Sequence, residues 1–384
     1  MNLILRGMRR FGFNRFFLQV FCSLARETGK KAGNKNALPD DGLDMKILED
    51  YRPDMGKSAL REVPEPVAET RLPAALSIIV PVYQTEAYIR KCAESLAVQK
   101  TKYPYRVILV DDGSRDKSFE IISDMLKDNA RFCVIHQENK GVSAARNRGL
   151  DSVQTEYVCF VDADDFVSED MVELLMERAV KTGADIVVGN FSYYYEKDRK
   201  IRKNFMLDGY AETPYQLSGI TCGKIFRATL FDKIRFPEGN LYEDSIVKHL
   251  LFPLASEIQC VAQPVYFYRM RENSRSSAAK TSSCCLDSTW ITVRMLKDRK
   301  ILGIPFDEEY QKYFLRQMAM NYQREEGVPE EIRRQVFLFM CSLAEKELTM
   351  PFSRGKHGIN PEECLRRALL KRDYRTYKRL CFWM

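Results

Sequence analysis

Between Leu76 and Tyr195 the chain alternates short apolar runs with segments of helical periodicity. The runs are continuous, which is typical of strands buried on both faces of a parallel sheet. They read LSIIVPVY, YRVILV, FCVIH, YVCFV and ADIVVGNFSYYY. This alternation predicts an α/β fold, with a mostly parallel sheet flanked by helices and joined by right-handed crossovers. In such sheets ligands bind beyond the carboxyl ends of the strands.

Composition divides the chain into four segments. Residues 1–28 interleave arginines with large apolar residues and predict a basic amphipathic helix. Residues 29–75 have little periodicity and several prolines, and predict a linker. Residues 76–280 form the predicted α/β domain, and residues 281–384 a C-terminal helical region.

The two basic ends each leave two interpretations open. Arginines interrupt the apolar stretch of residues 1–28, which is unlike a cleavable secretory signal. That helix either lies in a membrane interface or packs on the core with its arginines in solvent. Residues 364–384 interleave Lys and Arg with Leu, Tyr, Phe and Trp, and the same two interpretations apply.

Charge and composition exclude several classes of protein. The net charge of +7 is the sum of +7 in residues 1–35, +6 in residues 354–384 and −6 between them. A mildly acidic core argues against a basic nucleic-acid groove, so no nucleic-acid partner is expected. With 45% hydrophobic residues the chain is not disordered, and it has no apolar run long enough to span a bilayer. Eleven cysteines without a regular framework indicate thiols in a reducing compartment, and three histidines make a His-rich metal site improbable.

The strongest chemical signal is Asp162-Ala163-Asp164-Asp165, directly after the fourth apolar run. In extended chain, residues i and i+2 point the same way, so Asp162 and Asp164 can face one ligand. Carboxylates this close repel each other unless a cation neutralises them, and such oxygens suit Mg²⁺ or Mn²⁺. The alternative is an acidic turn that caps the helix beginning near Ser168.

A second acidic cluster, Asp111-Asp112-Gly113-Ser114, ends the second apolar run. A carboxylate there can accept hydrogen bonds from a ribose hydroxyl or from the N–H of a base, and Gly113 permits a tight turn. Equally, the Asp or Ser side chains can cap the helix beginning near Ser118.

A third pair, Glu243-Asp244, precedes an apolar helix. It either favours the helix dipole or supplies a carboxylate that takes a proton from an attacking hydroxyl. Arg269, Arg271 and Arg275 follow, and either neutralise a diphosphate leaving group or form ordinary surface ion pairs.

Neither a P-loop nor a GxGxxG segment is present, and the His and Ser residues form no hydrolase triad pattern. A nucleotidyltransferase would need a Gly-rich basic loop after the first strand, where PVYQTEAY stands instead. A non-catalytic glycan- or partner-binding protein that retains the fold is the alternative from another class.

In this order, the motifs resemble those of family 2 glycosyltransferases with the GT-A fold, in particular bacterial enzymes of surface-polysaccharide synthesis. The resemblance covers residues 76–277, about half of the chain. It rests on SIIVPVYQTEAYIRKCAESL, VILVDDGSRDKS, ENKGVSAARNRGL, FVDADDFV, CGKIFRATLFDKIRFPEGNLYEDS and VYFYRMRENS.

The resemblance implies roles for individual residues. Asp164 would be the main ligand of Mn²⁺ or Mg²⁺, with Asp162 on the metal or the ribose. Asp244 would be the catalytic base, held by Glu243. The other residues would bind the nucleotide-sugar: Pro81, Val82 and Tyr83 at the nucleobase, Asp111 and Asp112 at the base or ribose, Arg146 near the diphosphate or the donor sugar, and Arg269 and Arg271 near the diphosphate.

The resemblance also implies an activity, that of an inverting hexosyltransferase (EC 2.4) acting in one in-line displacement, so that an α-linked donor gives a β-linked product. The QxxRW segment of processive synthases is absent, which favours transfer of a single sugar. The expected donor is a UDP-sugar. The expected acceptor is a lipid-linked glycan at the inner face of a bacterial membrane, and a soluble acceptor, such as a protein or a free glycan, is the open alternative. The expected location is therefore cytoplasmic and peripheral to that membrane.

Overall fold

The computed structural model describes residues 37–39, 42–54, 56–61, 72–197, 200–203, 209, 213–271, 282–348, 351–352 and 360–384. The predicted helix of residues 1–28 lies outside this part, as does Arg275. The chain forms two compact units. One contains the described residues within 57–274 and 294–304, and the other those within 1–56, 275–293 and 305–384. The predicted domain boundaries stay a prediction.

In chain order, the α-helices are α1 (Met45–Tyr51), α2 (Ile89–Ala97), α3 (Ser118–Leu126), α4 (Val142–Leu150), α5 (Met171–Thr182), α6 (Asp287–Ile301), α7 (Glu308–Arg324), α8 (Glu330–Glu347), α9 (Pro361–Leu370) and α10 (Tyr374–Trp383). The strands are β1 (Leu72–Val82), β2 (Tyr105–Asp111), β3 (Phe132–His136), β4 (Thr155–Phe160), β5 (Phe166–Val167), β6 (Ile186–Tyr195), β7 (Lys200–Lys203), β8 (Lys224–Arg227) and β9 (Ile258–Met270). A π-helix, Val247–Leu251, continues into the short α-helical turn Phe252–Leu254.

The first half of the sheet is parallel, in the order β3-β2-β1-β4. Its strands are four of the five predicted apolar runs. The side chains of β1, β2 and β4 are mostly buried on both faces, whereas those of the edge strand β3 are half-buried or exposed. In register, Val82 on β1 pairs with Asp111 on β2, and Ile79 pairs with Phe160 on β4. The carboxyl ends of β1, β2 and β4 therefore lie side by side at one edge.

The second half of the sheet is mixed. Strand β8 lies between β4 and β6 and is antiparallel to both, while β6 and β9 are parallel. The fifth predicted strand is β6, and it is separated from β4 by the width of β8. The α/β class is confirmed, and the antiparallel strand β8 between β4 and β6 was not predicted from the sequence.

Helices of the second unit bury a common apolar face. The rings of Tyr374 and Tyr377 on α10 pack within 5.0 Å and 4.9 Å of the ring of Phe337 on α8. Leu380, Cys381 and Trp383 are also buried, whereas Arg375 and Arg379 are exposed. Of the two interpretations of the C-terminal segment, these residues therefore show the second: the apolar side chains pack on neighbouring helices and the basic side chains face solvent.

The cysteines and the longest helices of the described residues bear on the earlier expectations about thiols and membrane spanning. All the cysteines in the described residues are free thiols, and most of them are buried. Among the same residues, no helix combines the length and the hydropathy that crossing a bilayer requires.

We expect Gly189→Ala to destabilise the sheet where β6 passes between β8 and β9. A Cβ atom at Gly189 would overlap Cγ2 of Val265 and lie 3.1 Å from the carbonyl oxygen of Gly223. Overpacking of this kind costs about 1–3 kcal/mol of unfolding free energy, which urea denaturation measures. The control is Val265→Ala, which removes the overlapping methyl. The double variant should lose less than the two single variants together, and simple additivity would contradict the overlap.

Candidate active site

Polar side chains gather where β1, β2 and β4 end, as parallel topology requires. Asp111 is the last residue of β2 and Asp112 follows it. Asp162 is the second residue after the end of β4. Strand β1 lies between β2 and β4, so the two acidic clusters are two strand spacings apart, about 10 Å.

The cluster after β4 contains three carboxylates, those of Asp162, Asp164 and Asp165, with one oxygen of each within 4.8 Å of the others. Asp165 is buried, and its two oxygens accept hydrogen bonds from the Tyr266 hydroxyl at 2.5 Å and the Arg269 backbone N–H at 2.7 Å. Burial, followed by repulsion between the carboxylates, raises the pKa of Asp164 and raises that of Asp165 well above its usual range.

These oxygens suit a hard divalent cation. Carboxylate oxygens are the donors that Mg²⁺ and Mn²⁺ prefer, and a cation would relieve the repulsion that raises the pKa of Asp164. Because the protein already occupies both oxygens of Asp165, the available ligands are Asp162 and Asp164. The donor set therefore fits the metal site expected from sequence.

A single buried guanidinium joins this cluster to the third acidic pair. Arg146, on α4, is 3% exposed and donates to Asp162 at 2.9 Å and to Glu243 at 2.7 Å. It also lies 3.8 Å from an oxygen of Asp244. The resemblance implied that Arg146 lies near the diphosphate or the donor sugar. The structure shows its contacts with three carboxylates, and its role toward a donor stays a prediction.

Small residues allow α4 to bring Arg146 this deep. Ser143, Ala144 and Ala145 are buried, and a Cβ on Gly149 would lie 2.5 Å from Cγ2 of Ile79. The helix therefore packs closely on β1, and a larger residue at Gly149 would push it away from the strand ends.

The carboxylate of Asp244 is 36% exposed at the side chain and accepts a short hydrogen bond from the Thr221 hydroxyl. Desolvation by the surrounding protein raises its pKa to about 6, and Arg146 opposes that rise. The preceding Tyr242 has φ of 67°, a left-handed conformation that is uncommon for a residue with a side chain. This backbone turn sets the direction of Glu243 and Asp244.

Two arginines at the end of β9, Arg269 within the strand and Arg271 directly after it, differ in their surroundings. Arg269 is buried with its guanidinium 5.0 Å from the ring centroid of Tyr88, and its Nε donates to the carbonyl oxygen of Asp164 at 2.7 Å. It also pairs with Glu196, so it holds the acidic turn in place. Arg271 is more exposed and forms an ion pair with the Asp164 carboxylate itself.

A cavity of about 460 Å³ opens beside the end of β2. Its lining residues are Tyr83, Gly113, Ser114, Arg115, His136, Gln137, Glu138 and Asn139. Of the predicted nucleobase residues, Tyr83 lines the cavity and is 42% exposed. Pro81 and Val82 are buried in β1.

The side chains of Asp111 and Asp112 are both buried. Asp112 accepts hydrogen bonds from the backbone N–H groups of Lys140 at 2.9 Å and Gly141 at 2.8 Å, and from the Gln137 amide at 2.8 Å. Asp111 bonds to Nδ1 of His136 at 2.7 Å. Both carboxylates therefore organise the protein around the cavity. Neither of them caps α3, whose N-cap residue is Lys117; the Ser118 backbone N–H at the start of that helix donates to Asp116 at 3.0 Å.

Sequence reasoning did not find His136, Thr221 or Tyr266 as parts of this region. Tyr266 stands in the VYFYRMRENS segment but was given no role there, and His136 and Thr221 belong to none of the quoted motifs. All three reach the site through the pairing of strands distant in the chain. Lys224 was also missed; it is buried beside the site, its ammonium donates to the Ile220 carbonyl at 2.5 Å, and burial lowers its pKa to about 8.

Comparison with known proteins agrees with this geometry. Residues 77–235 match the family described as Glycosyl transferase family 2. The chain is 35% identical to Glycosyltransferase GlyA of Streptococcus pneumoniae over 218 residues, which is 52% of this chain and 31% of GlyA. It is 30% identical to Glycosyltransferase GlyG of the same organism over 247 residues, which is 60% of this chain and 82% of GlyG. S. aureus TarS 1–349, solved in complex with UDP-GlcNAc, has a similar structure, with a TM-score of 0.61 at 20% identity that covers 79% of this chain and 89% of TarS.

This chain belongs to glycosyltransferase family 2. At 20% identity the similarity to TarS concerns the fold, and it confirms the GT-A fold expected from the motifs. The chain spans about a third of the length of GlyA and most of that of GlyG.

We expect Asp112→Asn to act on stability. The amide removes the charge that three donors share and turns an NH₂ group toward an N–H, which lowers the free energy of unfolding by about 2–4 kcal/mol in urea denaturation. The matched control is Asp124→Asn on α3, which is exposed and should change stability by less than about 0.5 kcal/mol. If Asp112→Asn is as stable as the control, the carboxylate is not needed for folding. That result would favour the other role predicted for Asp112, binding of the base or ribose.

Proposed function

We propose that this protein is an inverting glycosyltransferase that moves one sugar from a nucleotide-sugar to an acceptor hydroxyl. One observation carries the proposal: the guanidinium of Arg146 contacts both Asp162 of the acidic cluster and Glu243 beside Asp244. The cluster of Asp162, which could hold a metal and a diphosphate, and the pair Glu243-Asp244, which could take a proton, therefore lie against the same guanidinium. This pairing suits the transfer of a sugar to a hydroxyl, in which a leaving group is stabilised while a proton is removed from the acceptor.

The donor we propose is a UDP-sugar bound along the edge of the sheet. Its nucleoside would occupy the cavity lined by Tyr83 and His136, and its diphosphate would reach the acidic cluster about 10 Å away. TarS, which shares the fold, was solved with UDP-GlcNAc. Arg271, paired with Asp164, is the described arginine best placed to meet the diphosphate.

Asp164 and Asp162 would hold Mn²⁺ or Mg²⁺. When bound, such a cation supplies Lewis-acid stabilisation of the charge that develops on the departing diphosphate. The chain's own contribution is to fix these two carboxylates. Arg146 orients Asp162, while Arg269 holds the backbone of Asp164.

Asp244 would be the general base. In its ionised form it takes the proton of the acceptor hydroxyl as the oxygen attacks the anomeric carbon and the bond to the diphosphate breaks. Arg146 and Thr221 orient the base, and Glu243 completes the pair. A single displacement of this kind inverts the anomeric configuration.

We propose a lipid-linked glycan as the acceptor, in surface-polysaccharide synthesis at the inner face of a membrane. The exposed cations Lys371, Arg375 and Arg379 of the C-terminal helices suit peripheral contact with an anionic surface, and a cytoplasmic location suits the free thiols. The alternative, a non-catalytic glycan-binding protein with the same fold, is decided by the following experiment.

The test is release of nucleoside diphosphate from a panel of nucleotide-sugars, with Mn²⁺, Mg²⁺ or EDTA. We expect slow turnover of one donor, lost with EDTA, and reduced by about 10²–10⁴-fold in Asp244→Asn because the general base is removed. Asp164→Ala should also abolish turnover. Asp124→Asn, the exposed control, should retain it. Turnover that survives EDTA would contradict the metal site, and a protein that binds no nucleotide-sugar would favour the glycan-binding alternative.

The pH dependence of the same reaction should report Asp244. A general base works only when ionised, and the pKa of Asp244 is about 6. Turnover at low donor concentration should therefore rise with pH up to about 6 and level off above it. Asp244→Asn should lack this acidic limb. A limb that persists unchanged in Asp244→Asn would assign the base to another group.

A further inference from the structure

We propose that Lys224 is a positioning residue for the general base, because its ammonium holds the peptide bond before Thr221 and so aims the Thr221 hydroxyl at Asp244. The inference rests on the proposed function, in which Asp244 takes the proton of the acceptor. It assigns a role to a buried cation that the mechanism does not otherwise use. Lys224 reaches the base through two other groups, so it positions the base and does not itself react.

The sheet fixes the backbone of Lys224. This lysine is the first residue of β8, the strand between β4 and β6, and it pairs with Val188 on β6. The residue is 2% exposed, so its side chain is enclosed by protein along its whole length. The ammonium is therefore presented from a rigid central strand.

The segment before the strand carries the hydroxyl that meets the base. Residues 217–223 form neither helix nor strand. Nζ of Lys224 donates to the carbonyl oxygen of Ile220 at 2.5 Å, and this carbonyl belongs to the peptide bond that joins Ile220 to Thr221. Thr221 is fully buried, and its hydroxyl donates to Oδ1 of Asp244. Two hydrogen bonds in series therefore connect the central strand to the base.

A buried ammonium is costly for the fold alone. Burial lowers the pKa of Lys224 to about 8, because desolvation disfavours the charged form. An aliphatic side chain of similar size would fill the same space without that cost. The gain that offsets the cost is at the base, where the loop is held by a donor that stays charged around pH 6, the range in which Asp244 ionises.

The charged surroundings of the two residues set the direction of the effect. The titratable and charged groups that face Lys224 are Cys222, Asp244, Lys248 and Cys260. Those that face Asp244 are Arg146, Asp162, Cys222 and Glu243.

Burial raises the pKa of Asp244, and the hydrogen bond from Thr221 is one of the influences that oppose this rise. That hydrogen bond is the influence whose geometry depends on Lys224, since the ammonium holds the adjoining peptide bond. Loss of the ammonium should therefore raise the pKa of Asp244 further, because a donor to the ionised carboxylate is lost.

The experiment measures release of nucleoside diphosphate by the full chain against pH, at low donor concentration, for the wild-type protein, Lys224→Met, Thr221→Val and the double variant. Each single variant should move the midpoint of the acidic limb upward by about 0.5–1 pH unit, the effect of one lost hydrogen bond to the base. The double variant should fall well short of the sum of the two, because both changes break the same connection. The Kd of UDP, measured by isothermal titration, should be unchanged in Lys224→Met, since the lysine acts on the base.

The matched control is Leu126→Ala on α3. It truncates a buried side chain and lowers stability without touching this connection, so its acidic limb should stay at the wild-type pH. Circular dichroism establishes which variants are folded.

Two results would overturn the positioning role: a folded Lys224→Met protein with its limb at the wild-type pH, or shifts that add fully in the double variant. If Lys224→Met does not fold, Thr221→Val decides. An unmoved limb in that variant would overturn the proposal, because Lys224 could not then act through the Thr221 hydroxyl, and an upward shift would support it.

Failure of the proposed function has a different signature. It would show in the wild-type protein, either as no turnover of any nucleotide-sugar or as an acidic limb that persists in Asp244→Asn.

Discussion

The buried guanidinium of Arg146 is the interaction on which the rest of the site depends. Carboxylates from two separate loops converge here, after β4 and before the helical segment that starts at Val247, and they would repel each other in a desolvated environment. Arg146 contacts Asp162, Glu243 and Asp244 at once, so the loops are held at a fixed separation. Because removing one partner from a buried charge network leaves the others uncompensated, this arrangement is rigid, and rigidity is what the alignment of a donor with a base requires.

The position of Arg146 in turn follows from packing. Helix α4 is lined by small residues and approaches β1 closely enough that Gly149 has no room for a side chain. On the other side of the sheet's centre, β8 runs antiparallel between β4 and β6 and places Thr221 beside Asp244. Gly189 and Gly223 leave space for β9, from which the Tyr266 hydroxyl reaches Asp165. The site therefore combines a parallel half, which gathers strand ends, with an antiparallel half, which supplies its second wall.

Residues of the same type have different roles at this edge of the sheet, where the strands end. Asp162 and Asp164 have oxygens available for a cation, whereas both oxygens of Asp165 accept hydrogen bonds from the protein. Asp112 is likewise committed to the loop after β3, and Asp111 to His136. Among the arginines, Arg146 and Arg269 are buried structural cations, and Arg271 forms an ion pair with the carboxylate of Asp164. Burial and hydrogen-bond partners, and not residue type, separate groups that hold the site from groups that can meet a ligand.

The amino-acid sequence by itself determined the α/β class, four neighbouring parallel strands and the location of the acidic turns, because strand burial and helical periodicity are local patterns that survive without knowledge of contacts. It also predicted that Asp162 and Asp164 can face one ligand, since residues i and i+2 of extended chain point the same way, and that both acidic turns lie where parallel strands end. Only the tertiary structure decided that β8 is inserted between β4 and β6, that Arg146 lies among carboxylates, and that His136 lines the cavity in front of Asp111. These facts depend on pairings between residues far apart in the chain. The free energy of each such pairing depends on desolvation and on complementary charge in the folded protein, which no local sequence pattern encodes.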